Sequence, residues 1–173
     1  MKGRVSWLWA TALCACVLTA TSASAGTEPK ISGFVQARYV ADESTGINST
    51  FTVRRARLTF DSALSPQTAA RLQLDAAASP SLLDAYCTFM PRDSNAALTA
   101  GQFKMPISYE VIEPCSKLLE REVSEAWTRL APKMRDAGLA LTIEGQGKVP
   151  SWNLALLNGN GSNRADNNEH KDV

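Results

Sequence analysis

The chain has 173 residues, of which 45% are hydrophobic and 20% charged, and its formal net charge is +1. This balance argues against a nucleic-acid coat and against a polybasic membrane anchor. The single histidine, His170, leaves no evident Ser–His–Asp triad and no histidine-based metal centre. We therefore expect a protein that is not an enzyme, with no cofactor, no metal and no nucleic-acid partner.

The first 25 residues have the pattern of a secretory signal peptide. Lys2 and Arg4 supply the positive start, residues 5–18 are mostly apolar, and Ala23–Ala25 forms a small-residue cleavage site. Removing 25 of the 173 residues leaves 148, and loss of two cations changes the formal charge from +1 to −1. A lipoprotein signal at Cys16 is the competing interpretation. After residue 25 no apolar run reaches the roughly 18 residues of a transmembrane helix, so a membrane role requires strands.

The rest of the chain predicts about seven β-strands with alternating polar and apolar side chains. In chain order they are Lys30–Ala41, Phe51–Asp61, Thr68–Asp75, Leu83–Phe89, Ala97–Lys104, Asp136–Glu144 and Trp152–Leu157. Short turns alternate with longer connections. The turns are 62–68, 91–96 and 145–151, and the longer segments are 42–50, 107–134 and 158 onward. This alternation is typical of an outer-membrane barrel.

The second and third predicted strands carry the clearest pattern. One face holds polar side chains: Arg55, Arg57, Thr59 and Asp61, followed on the returning strand by Arg71, Gln73 and Asp75. The other face holds Ala56, Leu58, Phe60, Ala70, Leu72 and Leu74. In a soluble sheet the apolar face would cover a core, whereas in a membrane barrel it would contact lipid around a wet lumen.

Residues 107–134 interrupt the alternation. Within them, Lys117–Leu130 is predicted to contain a short helix, because Leu118, Val123 and Trp127 are roughly helically spaced. The segment is also acidic, with Glu110, Glu113, Glu120, Glu122 and Glu125. A loop of this length in a compact fold is usually functional.

Five short motifs, in order along the chain, resemble the phosphate-selective porin O/P family. They are Phe51-x-x-Arg-Arg-Ala-Arg-Leu, Arg71-Leu-Gln-Leu-Asp75, Leu83-Asp-Ala-Tyr86, Gly101-Gln-Phe-Lys-x-Pro106, and Asn158-Gly159 followed by Asp166-Asn-Asn-x-x-Lys-Asp172. The resemblance implies an all-β fold, an antiparallel transmembrane β-barrel of the bacterial outer membrane, usually sixteen-stranded and trimeric. It also implies diffusion of phosphate or other small anions, contact with outer-membrane lipid, and a homotrimer as the full-length assembly.

On this resemblance, residues 26–173 are expected to be the N-terminal portion of a porin domain, with 107–134 as its constriction loop. Family members are more than twice as long, and seven strands cannot close an even-numbered barrel. The sequence is therefore expected to be a truncated product or fragment.

A channel for anions needs fixed positive charge on its lumen face, and the planar guanidinium fork suits phosphate. By parity with the apolar residues, the lumen-facing cations are predicted to be Arg55, Arg57, Arg71, Lys104 and Arg38. Arg54 has the opposite parity and is predicted to lie near the membrane interface. The alternative for the arginines is a structural ladder of ion pairs, for instance Arg57 with Asp75, and for Lys104 a solvated strand end.

Other interpretations stay open from the sequence. One is a soluble or surface-attached β-sheet protein that binds or supports the cell envelope, and another is a non-functional porin remnant. An enzyme interpretation has only Glu120 and Glu122 as a glycosidase-type pair. Cys87 and Cys115 permit one disulfide without specifying it.

Overall fold

The computed structural model describes residues 28–40, 50–77, 81–113, 124–130, 134–167 and 170–173. Its strands form one antiparallel sheet in which each strand pairs with its neighbours in chain order. They are β1 (Lys30–Val40), β2 (Thr50–Ser65), β3 (Thr68–Asp75), β4 (Ser81–Phe89), β5 (Ala96–Lys104), β6 (Arg135–Ile143) and β7 (Trp152–Leu157). The predicted all-β class and the seven strands are confirmed.

The hairpin between β2 and β3 is tighter than the sequence predicts. The prediction placed the turn at 62–68, but β2 continues to Ser65, and only Pro66 and Gln67 lie between the two strands. Ser62 pairs with Ala70, so the small and polar residues that resemble a turn belong to the ladder. The Gln67 amide donates to Ser65 Oγ at 3.2 Å, which closes the turn. Backbone pairing therefore overrides the turn propensity of this segment.

The sheet curls so that one face surrounds a cavity of about 380 Å³. Side chains from all seven strands line this cavity, from Phe34 on β1 to Asn153 on β7. We call this the cavity face and the opposite one the outer face. Large apolar side chains are exposed on the outer face: Ile31, Val35, Tyr39, Leu58, Leu72, Leu98, Leu139, Leu141, Trp152, Leu154 and Leu156. An apolar surface of this extent marks contact with a partner or with a membrane.

Three register shifts interrupt the described sheet, one of them at Leu64 beside the β2–β3 turn, and the other two adjust which side chains reach which face. In β2 the register shifts beside Gln36 and Ala37, and Arg54 is the extra residue. Phe51 therefore pairs with Tyr39 on the outer face, where the two ring centroids are 4.8 Å apart. Arg54, which the alternation assigns to the opposite parity from Arg55 and Arg57, is the residue that this bulge inserts. In β4 a second register shift leaves out Leu83.

A short helix, α1 (Tyr109–Ile112), follows β5. Ser108 caps it, because its hydroxyl accepts a hydrogen bond from the Val111 amide at 3.3 Å. The sequence did not predict α1, since four residues are too few to show helical periodicity.

A second helix, α2 (Glu125–Leu130), coincides with the C-terminal part of the predicted helix 117–130. Glu110 accepts a hydrogen bond from the Ser124 amide at 2.9 Å, which links α1 to the start of α2. Within the described ranges, no helix has the length and apolar character needed to cross a membrane.

Some sequence predictions fall outside the described residues. These are the signal peptide 1–25, residues 117–123 of the predicted helix with Glu120 and Glu122, and the Cys115 half of the suggested disulfide. Cys87 is a free thiol.

Candidate functional site

The cavity gathers cations from three strands. Arg57 of β2, Arg71 of β3 and Lys104 of β5 all line it. The aromatic ring of Phe34 lies next to one of these cations, with 5.7 Å between the Arg57 guanidinium carbon and the ring centroid. Three of the five cations predicted to face a lumen thus share one space.

Strands β2 and β3 hold their cations in a ladder of cross-strand pairs. Three directly opposed pairs follow each other on the cavity face: Arg57 with Asp75, Thr59 with Gln73, and Asp61 with Arg71. Arg57 Nε lies 3.2 Å from Asp75, and Gln73 donates to Thr59 Oγ1 at 2.7 Å. Arg71 binds both oxygens of Asp61, at 2.6 and 3.1 Å. The ion-pair ladder considered from the sequence is therefore present.

The two arginines of this ladder differ in exposure. The Arg57 side chain is 12% exposed, whereas that of Arg71 is 41% exposed. A solute in the cavity can therefore reach Arg71 more readily than Arg57. In the same structure Arg57 braces the wall between two strands.

A buried ion pair, absent from the sequence prediction, links distant strands. Arg135 Nε donates to Asp84 Oδ1 at 2.6 Å, and both side chains are only 8% exposed. Arg135 also donates to Gln73 Oε1 at 3.3 Å, which joins this pair to the β2–β3 ladder. The partners are 51 residues apart in sequence, so local spacing could not reveal them. Their best sequence signal is the position of Asp84 among the polar residues of its strand.

Lys104 lines the cavity, but its ammonium group also holds the loop after β5. Nζ donates to the carbonyl of Ile112 at 3.0 Å and to that of Glu113 at 2.6 Å. These carbonyls belong to the last residue and the C-cap of α1, where helix carbonyls lack a partner within the helix. From the sequence, Lys104 was predicted either to contact a ligand or to be a solvated strand end. Neither prediction included its hydrogen bonds to the end of α1.

Replacing Lys104 by methionine should loosen the loop between β5 and β6. A hydrogen bond donated by a charged group typically contributes about 1.5–3 kcal/mol. The substitution removes two such bonds, so local opening should become at least about tenfold more frequent. We expect faster cleavage after Glu113 by a glutamate-specific protease in the folded protein, because the Glu113 carbonyl is one of the two that Lys104 holds. Lys148→Met, in the exposed turn before β7, is the control. Equal cleavage in both variants would show that the tether does not restrain the loop.

The remaining predicted cations occupy other positions. Arg55 is buried, and its Nη1 donates to Gln36 Oε1 at 2.6 Å, which joins β2 to β1. Arg38 alternates with Gln36 along β1 and is exposed near the end of the strand, outside the group that lines the cavity.

The end of β5 departs from simple alternation. The sequence predicts Gln102 and Lys104 on one face with Gly101 and Phe103 on the other, yet Phe103 and Lys104 line the same cavity. Gly101 has φ of +129°, and a Cβ there would lie 2.2 Å from the Ala85 carbonyl oxygen. This backbone geometry is open to glycine alone. The alternation nevertheless continues through Gly101, since Thr99 and Phe103 both line the cavity, and Lys104 joins them from the end of the strand.

The side chain of Gln102 fastens β5 to β4. The pairing of the two strands ends at Ala85 and Gln102, where the Gln102 amide donates to the carbonyls of Leu82 and Leu83 at 3.0 and 2.8 Å. The backbone N–H of Asn163 donates a hydrogen bond to Gln102 Oε1 at 2.7 Å, so the segment after β7 also contacts the point where β4 and β5 separate. Side-chain amides thus replace backbone pairing where β4 and β5 separate.

Pairing with aspartate halves the attraction that an arginine offers to an anion. An anion about 4 Å from a lone guanidinium gains about 4 kcal/mol at an effective dielectric constant near 20. A carboxylate about 7 Å from the same anion takes back about 2 kcal/mol. An arginine of this ladder therefore attracts an anion more weakly than an isolated arginine would.

Comparison with known proteins identifies the family. The family model described as phosphate-selective porin O and P matches residues 30–173, the whole span of the seven strands. The comparisons with curated proteins and with solved structures each gave no match. The family match confirms the resemblance drawn from the five sequence motifs, and it implies a channel in place of an enzyme. The chain belongs to the phosphate-selective porin O and P family.

Proposed function

We propose that this chain forms part of the wall of a bacterial outer-membrane channel through which phosphate or other small anions diffuse. In this proposal a signal peptide at residues 1–25 exports the chain, the outer face contacts lipid, and the cavity face borders a wet lumen. The assembled channel is a homotrimer. The solute is drawn in by the cations of the cavity face.

The opposite character of the two faces is the observation that carries this proposal. Large apolar side chains are exposed on the outer face, while Arg57, Arg71 and Lys104 border the cavity. An arginine facing lipid at the membrane midplane costs about 2–4 kcal/mol. Contact of the cavity face with water, and of the outer face with lipid, therefore avoids this cost.

The cations have different roles in this account. Arg71 is the most exposed of the ion-paired arginines of the cavity face and contacts the passing anion. Arg57 and Arg55 brace the wall and add to its positive field. Lys104 holds the loop that narrows the lumen, and Arg38 contributes at the end of β1.

The test is the reversal potential of the assembled channel that contains this chain, purified from outer membranes, in planar lipid bilayers under a gradient of potassium chloride. We expect anion selectivity, and we expect Arg71→Gln to lower the chloride-to-potassium permeability ratio about two- to fivefold. The reason is that this change removes a cation and also releases the negative charge of Asp61 from its ion pair.

Arg92→Gln is the matched control, because Arg92 lies in the exposed turn between β4 and β5. It removes the same charge from the chain and should leave the permeability ratio unchanged. A cation-selective parent protein, or equal effects of the two substitutions, would contradict the proposal.

A further inference from the structure

We infer that the solute best suited to this cavity is a small monovalent carboxylate with a planar apolar body, of the benzoate type, in preference to inorganic phosphate. This inference rests on the proposed function and concerns the same cavity. Three features of its lining carry the argument: the pairing of its arginines, its aromatic walls, and the apolar residues contributed by the loop after β5.

The arginines of the cavity are already bound to carboxylates. Arg71 holds Asp61 through two hydrogen bonds, and Arg57 holds Asp75. Asp84 also lines the cavity. Phosphate is a compact, strongly hydrated anion, present as a mixture of monoanion and dianion at neutral pH, and it needs cations with an uncompensated field to replace its water. A singly charged carboxylate gives up less hydration and meets less repulsion from the aspartates.

Aromatic rings border the same cations. The ring of Phe34 lies against the Arg57 guanidinium, with 5.7 Å between the guanidinium carbon and the ring centroid. Tyr86 and Phe103 meet edge to face, with their centroids 6.4 Å apart. All three rings line the cavity. Phe103 is only 6% exposed and supports Tyr86 from behind, so a planar apolar body can pack against the exposed parts of Phe34 and Tyr86 while its carboxylate turns towards Arg71.

The loop after β5 adds an apolar side to the cavity. Pro106 and Ile112 line it, and Lys104 fixes Ile112 in position through its carbonyl. The Ile112 side chain remains 47% exposed although it faces the cavity. Such a residue contributes little to the binding of a hydrated inorganic ion. It favours the binding of an organic anion, because the contact removes apolar surface of both partners from water.

Binding to the detergent-solubilised full chain tests the inference independently of conduction. The probes are sodium benzoate, sodium acetate and sodium phosphate, measured by isothermal titration calorimetry at neutral pH. We expect benzoate to bind at least tenfold more tightly than phosphate, and more tightly than acetate, which has the carboxylate without the apolar body. Phosphate binding as tightly as benzoate, or no binding of either, would overturn the inference.

Two variants locate the site. Ile112→Ser and Phe34→Ala should each raise the Kd for benzoate about three- to tenfold and leave the Kd for phosphate unchanged. Val149→Ser, at an exposed position in the turn before β7, is the control for partition of benzoate into micelles. If both cavity variants fold and bind benzoate as the control does, the inference is wrong. The reversal potential reports separately on the channel: anion selectivity with a preference for phosphate would remove this inference alone, and loss of anion selectivity would remove the proposed function.

Discussion

Replacing Asp84 by alanine is expected to lower the free energy of unfolding by about 3–5 kcal/mol, the range found when one partner of a buried ion pair is removed. Both side chains of the Asp84–Arg135 pair are 8% exposed, so the substitution leaves a buried guanidinium without its carboxylate. Gln73 continues to accept one hydrogen bond from Arg135, but it carries no compensating charge. Urea unfolding of the protein in lipid vesicles measures the effect.

An exposed ion pair supplies the control. The Glu125–Arg129 pair on α2 has side chains 77% and 78% exposed, so Glu125→Ala should cost less than about 1 kcal/mol. The double change Asp84→Leu with Arg135→Met should recover much of the loss, because it removes both buried charges and keeps the volume apolar. If Asp84→Ala costs no more than Glu125→Ala, the pair does not hold β4 and β6 together.

A single arginine placed on either of two adjacent residues of β6 should have opposite consequences. Leu141 is exposed on the outer face, and Thr142 lines the cavity. Leu141→Arg should reduce membrane insertion, with a cost of up to about 2–4 kcal/mol at the midplane that falls towards the interfaces. Thr142→Arg should insert normally, because its side chain enters the wet cavity.

The fraction of each variant that co-sediments with outer membranes, and that migrates as a heat-modifiable folded band, measures this difference. Both variants carry the same added charge one residue apart, so each controls for the other. Equal insertion of the two, or poorer insertion of Thr142→Arg, would show that the outer face does not contact lipid.

The alternation of polar and apolar residues predicted much of this fold. It gave six of the seven strands to within about two residues at each end, because unlike faces leave a local signature. It also assigned Arg57 and Arg71 to the same face, as the cavity requires. The exception is β2, where Ser62–Ser65 resembles a turn yet pairs with β3.

Long-range contacts and local irregularities could not be predicted in the same way. The Arg135–Asp84 pair joins residues 51 positions apart, and the Gln102–Asn163 contact joins residues 61 apart. The bulge at Arg54 shifts the register of β1 and β2, and Gly101 adopts a φ of +129°, and neither feature has a signature in the alternation of residues. Lys104 illustrates the limit. Parity predicted that it faces a lumen, and the structure places it at the cavity, but its bonds to α1 depend on a loop that has no periodicity.

The account depends most on which face of the sheet meets water. Cysteines introduced singly at Leu98 and Thr99, with the native cysteines replaced by serine, test this directly. Leu98 is exposed on the outer face of β5, and Thr99 lines the cavity. In protein reconstituted into lipid vesicles, a charged, membrane-impermeant maleimide should label Thr99→Cys and leave Leu98→Cys protected, while both should react in urea. Labelling of Leu98→Cys with protection of Thr99→Cys would contradict the assignment of the two faces and the channel built on it.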